Sequence, residues 1–153
     1  MPRVFTAAAV LFALLAPPLP DAAAAVTAPL AGKGACAARP MDPHKSKGEE
    51  QQQGRLVILA KVSAVCRGGG GLSRLVIDAK LQRKTPRGWR NATGNRSRAF
   101  SPVTMGRKYV SRTHDIKCHK GTFRVYFRVS GKVDGTMRYG NWGAGRPKRN
   151  PCG

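Results

Sequence analysis

Acidic residues are scarce in this chain. It has 7 Asp and Glu among 153 residues, against 28 Lys and Arg, which gives a formal net charge of +21. Because the few carboxylates are scattered, a paired-carboxylate site of the glycosidase type is not expected. The glycine run at residues 68–71 lacks the lysine and the helix of a nucleotide-binding loop, so that class of site is not expected either.

A long hydrophobic run is also missing. The longest, residues 4–16, has 13 residues, whereas a membrane span needs about 20. It follows Arg3, ends at Pro17 and precedes the alanines at 22–25, which is the layout of a cleavable secretory signal. We therefore predict a signal peptide over residues 1–25 and a secreted protein with no transmembrane segment after cleavage. Cleavage would remove one charge of each sign and leave the net charge at +21.

A convincing helical period is absent, and period-two alternation takes its place. Residues 56–66, 72–83 and 122–130 place apolar side chains at every second position. The apolar positions of the clearest stretch are Phe123, Val125, Phe127 and Val129. Such alternation predicts half-buried strands. With turn signals between them, the strands predict an all-β fold, an antiparallel β-sandwich or small barrel stapled by disulfides.

The presence or absence of this alternation divides the chain into three parts. Residues 1–25 are the predicted signal, and residues 26–54 are interpreted as a disordered, flexible polar arm because they show no sustained period. Residues 55–153 are predicted to form a single β-rich domain that ends in a basic tail. A small domain with this much like charge has a modest core and needs cross-links. We expect a monomer.

The four cysteines are the expected cross-links. An even number of cysteines in an exported chain predicts two disulfides among Cys36, Cys66, Cys118 and Cys152. We favour Cys66–Cys118 with Cys36–Cys152, because positions 66 and 118 both fall late in core-facing strands. The main alternative pairs Cys36 with Cys66 and Cys118 with Cys152.

The outward face of residues 122–130 is the first candidate binding site. Arg124, Tyr126 and Arg128 would stand about 7 Å apart along a strand. Two guanidinium groups could donate hydrogen bonds to phosphate, sulfate or carboxylate groups, and the ring between them could stack on a base or a sugar. A solvated strand face in a basic protein would show the same pattern.

A second group of candidates surrounds a tryptophan, at Arg87, Trp89 and Arg90, and the basic pair Arg83-Lys84 precedes it. Basic residues interleaved with an aromatic ring suit the backbone of a polyanion. Our leading hypothesis is a non-enzymatic domain that binds anionic polymers, namely cell-envelope polymers, acidic polysaccharide or non-specifically bound nucleic acid. An acidic protein partner is a further alternative.

The catalytic alternative is a secreted ribonuclease-like hydrolase. His114 and His119 would act as general base and acid, and Lys117 would stabilise the charged transition state. The two histidines are an odd number of residues apart, so they would face opposite sides of a continuous strand. Cys118 lies between them, but an oxidised cysteine cannot ligate zinc, and we predict no metal and no cofactor.

Three features of the sequence carry a resemblance to other proteins. The run Cys118-x-x-Gly121-Thr122-Phe123-Arg124, the turn at residues 130–135 and the alanine-rich signal resemble small uncharacterised secreted proteins of actinobacteria. The resemblance covers about the last half of the chain. It implies an extracellular, β-rich fold and assigns no catalytic residues.

Overall fold

The computed structural model describes residues 26–28, 34–68 and 70–153. These residues form an antiparallel β fold with one short helix, which confirms the predicted all-β class. The predicted signal at 1–25 lies outside the described residues. None of the described helical segments is long and apolar enough to cross a membrane.

The strands in chain order are β1 Val26–Ala28, β2 Gly34–Pro40, β3 His44–Lys45, β4 Val57–Leu59, β5 Lys61–Gly68, β6 Leu72–Thr85, β7 Gly88–Asn91, β8 Arg96–Phe100, β9 Lys108–Arg112, β10 Ile116–Lys117, β11 Thr122–Val133, β12 Thr136–Tyr139, β13 Gly143–Ala144 and β14 Lys148–Arg149. The helix, α1, spans Lys47–Gln53.

The strands form two main layers. One sheet has the order β1-β2-β5-β9, and the other has the order β12-β11-β6-β7, with β8 on β6 and with β13 and β14 on β11. A small sheet, β10-β4-β3, completes the described part of the fold. Apolar side chains of both main sheets share one core, so the arrangement is sandwich-like.

The long antiparallel pair of β6 and β11 supplies most of the large core side chains. Its inward residues follow the predicted alternation and are at most 2% exposed. On β6 and β11 they are Leu75, Ile77, Ala79, Leu81, Phe123, Val125, Phe127 and Val129. The opposite face of the same two strands therefore has to carry their polar side chains, and that face becomes the candidate site described below.

The predicted strand over residues 56–66 is divided in two at Ala60. The Ala60 N–H donates to Thr113 Oγ1 at 3.1 Å, and the Thr113 N–H donates to the Ala60 carbonyl at 2.9 Å. This pairing satisfies the buried backbone where the chain passes from the small sheet to β5. Leu56, which the alternation places in the core, is 49% exposed.

The segment interpreted as a flexible arm contains regular structure from residue 34 onward. Residues 34–40 form β2 and pair along β5, and residues 47–53 form α1. Ser46 caps the helix by accepting from the Glu49 N–H, and Gly54 ends it with a left-handed φ of 62°. Glu49 also forms an ion pair with Arg55 at 2.7 Å. Pairing with the sheet orders a segment that has no core-forming period of its own.

The favoured disulfide pairing is wrong, and the alternative is observed. Cys36 bonds to Cys66 and Cys118 bonds to Cys152. Cys36 and Cys66 face each other across β2 and β5, with their Cα atoms 4.0 Å apart. The reasoning from the sequence failed because it left β2 in the arm and gave Cys36 no neighbouring strand.

Candidate functional site

Arg124, Tyr126 and Arg128 lie on the outer face of β11, as the alternation predicts. All three are half-buried rather than freely solvated. Partners from neighbouring strands cover them, because β6 lies along one edge of β11 and β12, β13 and β14 lie along the other. These partners convert the row of three residues into a larger array.

One end of the array is built on Trp89. The Arg124 Cζ atom lies 4.2 Å from the centre of the Trp89 ring, and the Lys84 Nζ atom lies 5.5 Å from it. Lys84 and Trp89 are direct partners across β6 and β7, so they share a face. The Arg124 Cζ atom is also 5.8 Å from the Tyr126 ring centre. Arg124 therefore contacts both rings.

The other end is built on Trp142. Its ring stacks on Tyr126, with centres 5.1 Å apart and planes 7° apart. The Lys80 Nζ atom lies 4.7 Å from the Trp142 ring centre, and the Arg128 Cζ atom lies 5.0 Å from it. The Arg128 Cζ atom also lies 5.2 Å from the Tyr139 ring. Such contacts contribute about 0.5–1 kcal/mol each at exposed sites.

We call this array the cation–aromatic ladder. Its four cations and four rings are Lys80, Lys84, Arg124, Arg128, Trp89, Tyr126, Tyr139 and Trp142. The candidate residues Trp89, Arg124, Tyr126 and Arg128 belong to it. Lys84 is among the basic residues expected around Trp89. Reasoning from the sequence missed Lys80, Tyr139 and Trp142, because their membership depends on which residues of β6, β12 and the segment after β12 lie beside β11.

The side-chain amide of Gln82, on β6, orients Arg124. The Arg124 Nε–H donates to Gln82 Oε1 at 2.9 Å, and Gln82 Nε2 donates in turn to Asn91 Oδ1 at 3.2 Å. Burial lowers the pKa of Arg124, against the opposing effect of Tyr126. An arginine still stays charged at neutral pH.

Arg128 is held in the same way by a carboxylate of β6. Its Nε and Nη2 atoms both donate to Asp78 Oδ2, at 3.1 and 2.9 Å. Ser97 and Asn95 donate to Asp78 Oδ1. Burial acts to raise the pKa of Asp78, but the hydrogen bonds from Ser97, Arg128 and Asn95 outweigh it, and the net pKa is lowered. Asp78 is therefore ionised at neutral pH.

The exposure that the alternation predicts for Asp78 and Gln82 is wrong. Both occupy the outward face of β6, where solvent exposure is expected, but they are 4% and 9% exposed. The long side chains of Arg128 and Arg124 lie over them, because each arginine is the direct cross-strand partner of the residue it covers. The outer face thus has a buried polar layer beneath the ladder.

The second predicted cluster does not stay together. Trp89 joins the ladder, but Arg90 is the cross-strand partner of Arg83, one position out of phase with Trp89, and so faces the other side of the sheet. Arg87 lies in the turn before β7 and is exposed. Only one of the three residues therefore belongs to the site.

The engaged rings change what the ladder can recognise. Tyr126 is stacked on Trp142, and Trp89 lies against Arg124 and Lys84. Stacking on a base, which the sequence suggested for Tyr126, would have to displace these internal partners. The groups the ladder presents to a ligand are its N–H donors and its positive charges. Such a surface binds anionic groups rather than stacking on flat rings.

The histidines of the catalytic alternative are both exposed. His114 lies between β9 and β10, and His119 follows β10 with its Nδ1 atom 2.8 Å from the Lys117 carbonyl oxygen. A cavity of about 190 Å³ lies beside His119, and His114 does not line it. The ribonuclease-like reaction stays a prediction.

Among the described residues, no three His, Cys, Asp or Glu side chains are grouped so that they could hold a metal ion. No protein-family model matches the chain, and no curated protein matches it either.

Proposed function

We propose that this protein is a secreted, non-enzymatic domain that binds anionic polymers through the cation–aromatic ladder. The observation that carries the proposal is the set of four cations interleaved with four rings on one sheet face. Asp78 is the only described carboxylate that forms an ion pair with a ladder cation, and Arg128 already occupies it. The remaining cations are left for a ligand.

The ladder is organised before any ligand arrives. Hydrogen bonds to Gln82 and Asp78 orient the two arginines, and the rings restrict the side chains between them. Long cationic side chains lose less rotamer freedom on binding when they are already ordered. Among the described contacts, the Nη groups of Arg124 have no acceptor, so they keep donors for phosphate, sulfate or carboxylate oxygens.

The remaining features of the chain agree with an extended, anionic ligand outside the cell. A net charge of +21 attracts polyanions at long range. Two disulfides are typical of an oxidising compartment. Since the rings are engaged internally, affinity is expected to follow the charge density of the polymer rather than its bases.

The test is fluorescence anisotropy of a dye-labelled single-stranded RNA oligomer titrated with the oxidised protein across a salt series. The double variant Lys80→Gln/Arg124→Gln removes two ladder contacts, which should lower the slope of log K against log salt by about 1.4. The control Lys47→Gln/Arg146→Gln has the same net charge and changes two exposed residues outside the ladder. It should keep nearly the whole slope.

Unlabelled inorganic polyphosphate and a heparin oligosaccharide serve as competitors in the same assay. Both should displace the RNA at similar concentrations of negative charge, because the ladder cations bind the anionic groups of any of these polymers. Equal losses in the ladder and control variants would contradict the proposal, since binding would then be diffuse. Affinity that does not change with salt would contradict it as well.

A further inference from the structure

A trough of about 450 Å³ lies on the outer face of the other main sheet, away from the ladder. Its floor consists of short side chains, Ala35 and Ala37 of β2 with Ser63 and Val65 of β5. The cross-strand pairs Ala37–Val65 and Arg39–Ser63 bring these residues into one surface. Short side chains in the middle of a sheet face leave a depression between longer neighbours.

The longer neighbours are three cations. Arg67 is the partner of Ala35, Lys108 is the partner of Val65, and Arg39 is the partner of Ser63. Two residues along a strand span about 7 Å, so the three charges stand around a floor the size of one or two sugar rings. Among the residues that the structure describes, no acidic and no aromatic side chain lines the trough. The described cations of the rim form no ion pair with a described carboxylate.

A disulfide lies directly behind this floor. Cys36 is between Ala35 and Ala37 in the chain, and Cys66 follows Val65. Both half-cystines point into the core, with exposures of 0% and 1%. The covalent link fixes the spacing of the two strands that carry the floor, so the trough exists before a ligand binds.

We propose that this trough binds an acidic sugar unit, with the ring over the aliphatic floor and its carboxylate or sulfate on the cations. The charge complementarity is one-sided, since the described lining residues include three cations and no acid. A nucleobase would need an aromatic partner for stacking, and none of the described lining residues is aromatic. An acyl chain would need an enclosed apolar cavity, whereas this floor is open. The site is separate from the ladder and does not depend on the proposal for it.

The test is a titration of the ¹⁵N-labelled, oxidised protein followed by amide chemical shifts. The ligands are a hyaluronan tetrasaccharide, which carries carboxylates, a heparin tetrasaccharide, which also carries sulfates, and neutral chitotetraose. We expect saturable shifts at Ala37, Val65 and Lys108 for one or both acidic ligands, in addition to shifts at the ladder, and none at these three residues for the neutral ligand. Comparison of the two acidic ligands identifies the preferred anion.

Ala37→Leu fills the floor without changing the charge and should raise the Kd at least tenfold. Ala99→Leu is the matched control, because Ala99 is an exposed alanine on the outer face of the ladder sheet. A second pair, Arg67→Gln against Arg146→Gln, tests the rim in the same way. An unchanged Kd in both trough variants, or shifts spread evenly over all basic surfaces, would overturn the proposal.

The ladder variant Lys80→Gln/Arg124→Gln separates this proposal from the previous one. The trough shifts should persist in that variant even though its binding to polymers is weakened. Loss of the trough shifts in the ladder variant would show that the two faces are not independent sites, and would also overturn the proposal.

Discussion

Replacing Asp78 by Asn tests the polar layer beneath the ladder. The carboxylate is 4% exposed and accepts four hydrogen bonds, two from Arg128 and one each from Ser97 and Asn95. Removing one partner of a buried pair costs about 3–5 kcal/mol. Arg128 is 28% exposed and regains some hydration, so we expect a loss of about 2–3 kcal/mol in the free energy of unfolding. For a domain of this size that lowers Tm by about 8–12 °C.

The same substitution has a defined pH signature. The pKa of Asp78 is lower in the folded protein than in the unfolded chain, so its ionised form stabilises the fold. That contribution is fully present above the unfolded value of about 3.9. It is lost as the pH falls through the lower folded pKa. The difference between wild type and Asp78→Asn should therefore be largest at pH 7 and shrink toward pH 2.

The assay is urea unfolding of both proteins at pH 7, 4 and 2, followed by tryptophan fluorescence. The other carboxylates also protonate in acid, but they are the same in both proteins. Comparing the two free energies of unfolding at each pH therefore removes their contribution. A variant as stable as the wild type at pH 7 would refute the proposed role of the buried carboxylate. A difference that stays constant down to pH 2 would show that the loss comes from packing rather than from ionisation.

Three further results are expected. Trp142→Ala should cost about 1–2 kcal/mol through loss of ring stacking and cation contacts, with Trp142→Phe recovering part of it in urea unfolding. Serine in place of Cys118 and Cys152 opens a link between residues 34 apart and should cost about 3–4 kcal/mol; an unchanged thermal midpoint would contradict this. Thr113→Val leaves the buried Ala60 N–H without its acceptor and should cost about 1–3 kcal/mol, whereas Thr113→Ser should be close to wild type by calorimetry.

Much of the fold can be predicted from local pattern. The faces of β6 and β11 follow directly from period-two alternation, because side chains on successive strand residues point to opposite sides. Leu75 and Phe123 are accordingly in the core, and Arg124 and Arg128 are outside it. The high positive charge and the even number of cysteines are likewise properties of composition, which no tertiary arrangement alters.

Neighbours across strands could not be predicted in this way. Trp89 is distant from Arg124 in the sequence, and Trp142 from Tyr126. Only the pairing of β7 with β6 and the path after β12 bring each pair together. The disulfide partners depend on β2 lying beside β5. The alternation of apolar residues predicts which side of a strand a residue faces. The register between strands determines which residues of the neighbouring strand it contacts. Register is set by the whole core, and so the ladder, its buried polar layer and the trough exist only in the folded protein.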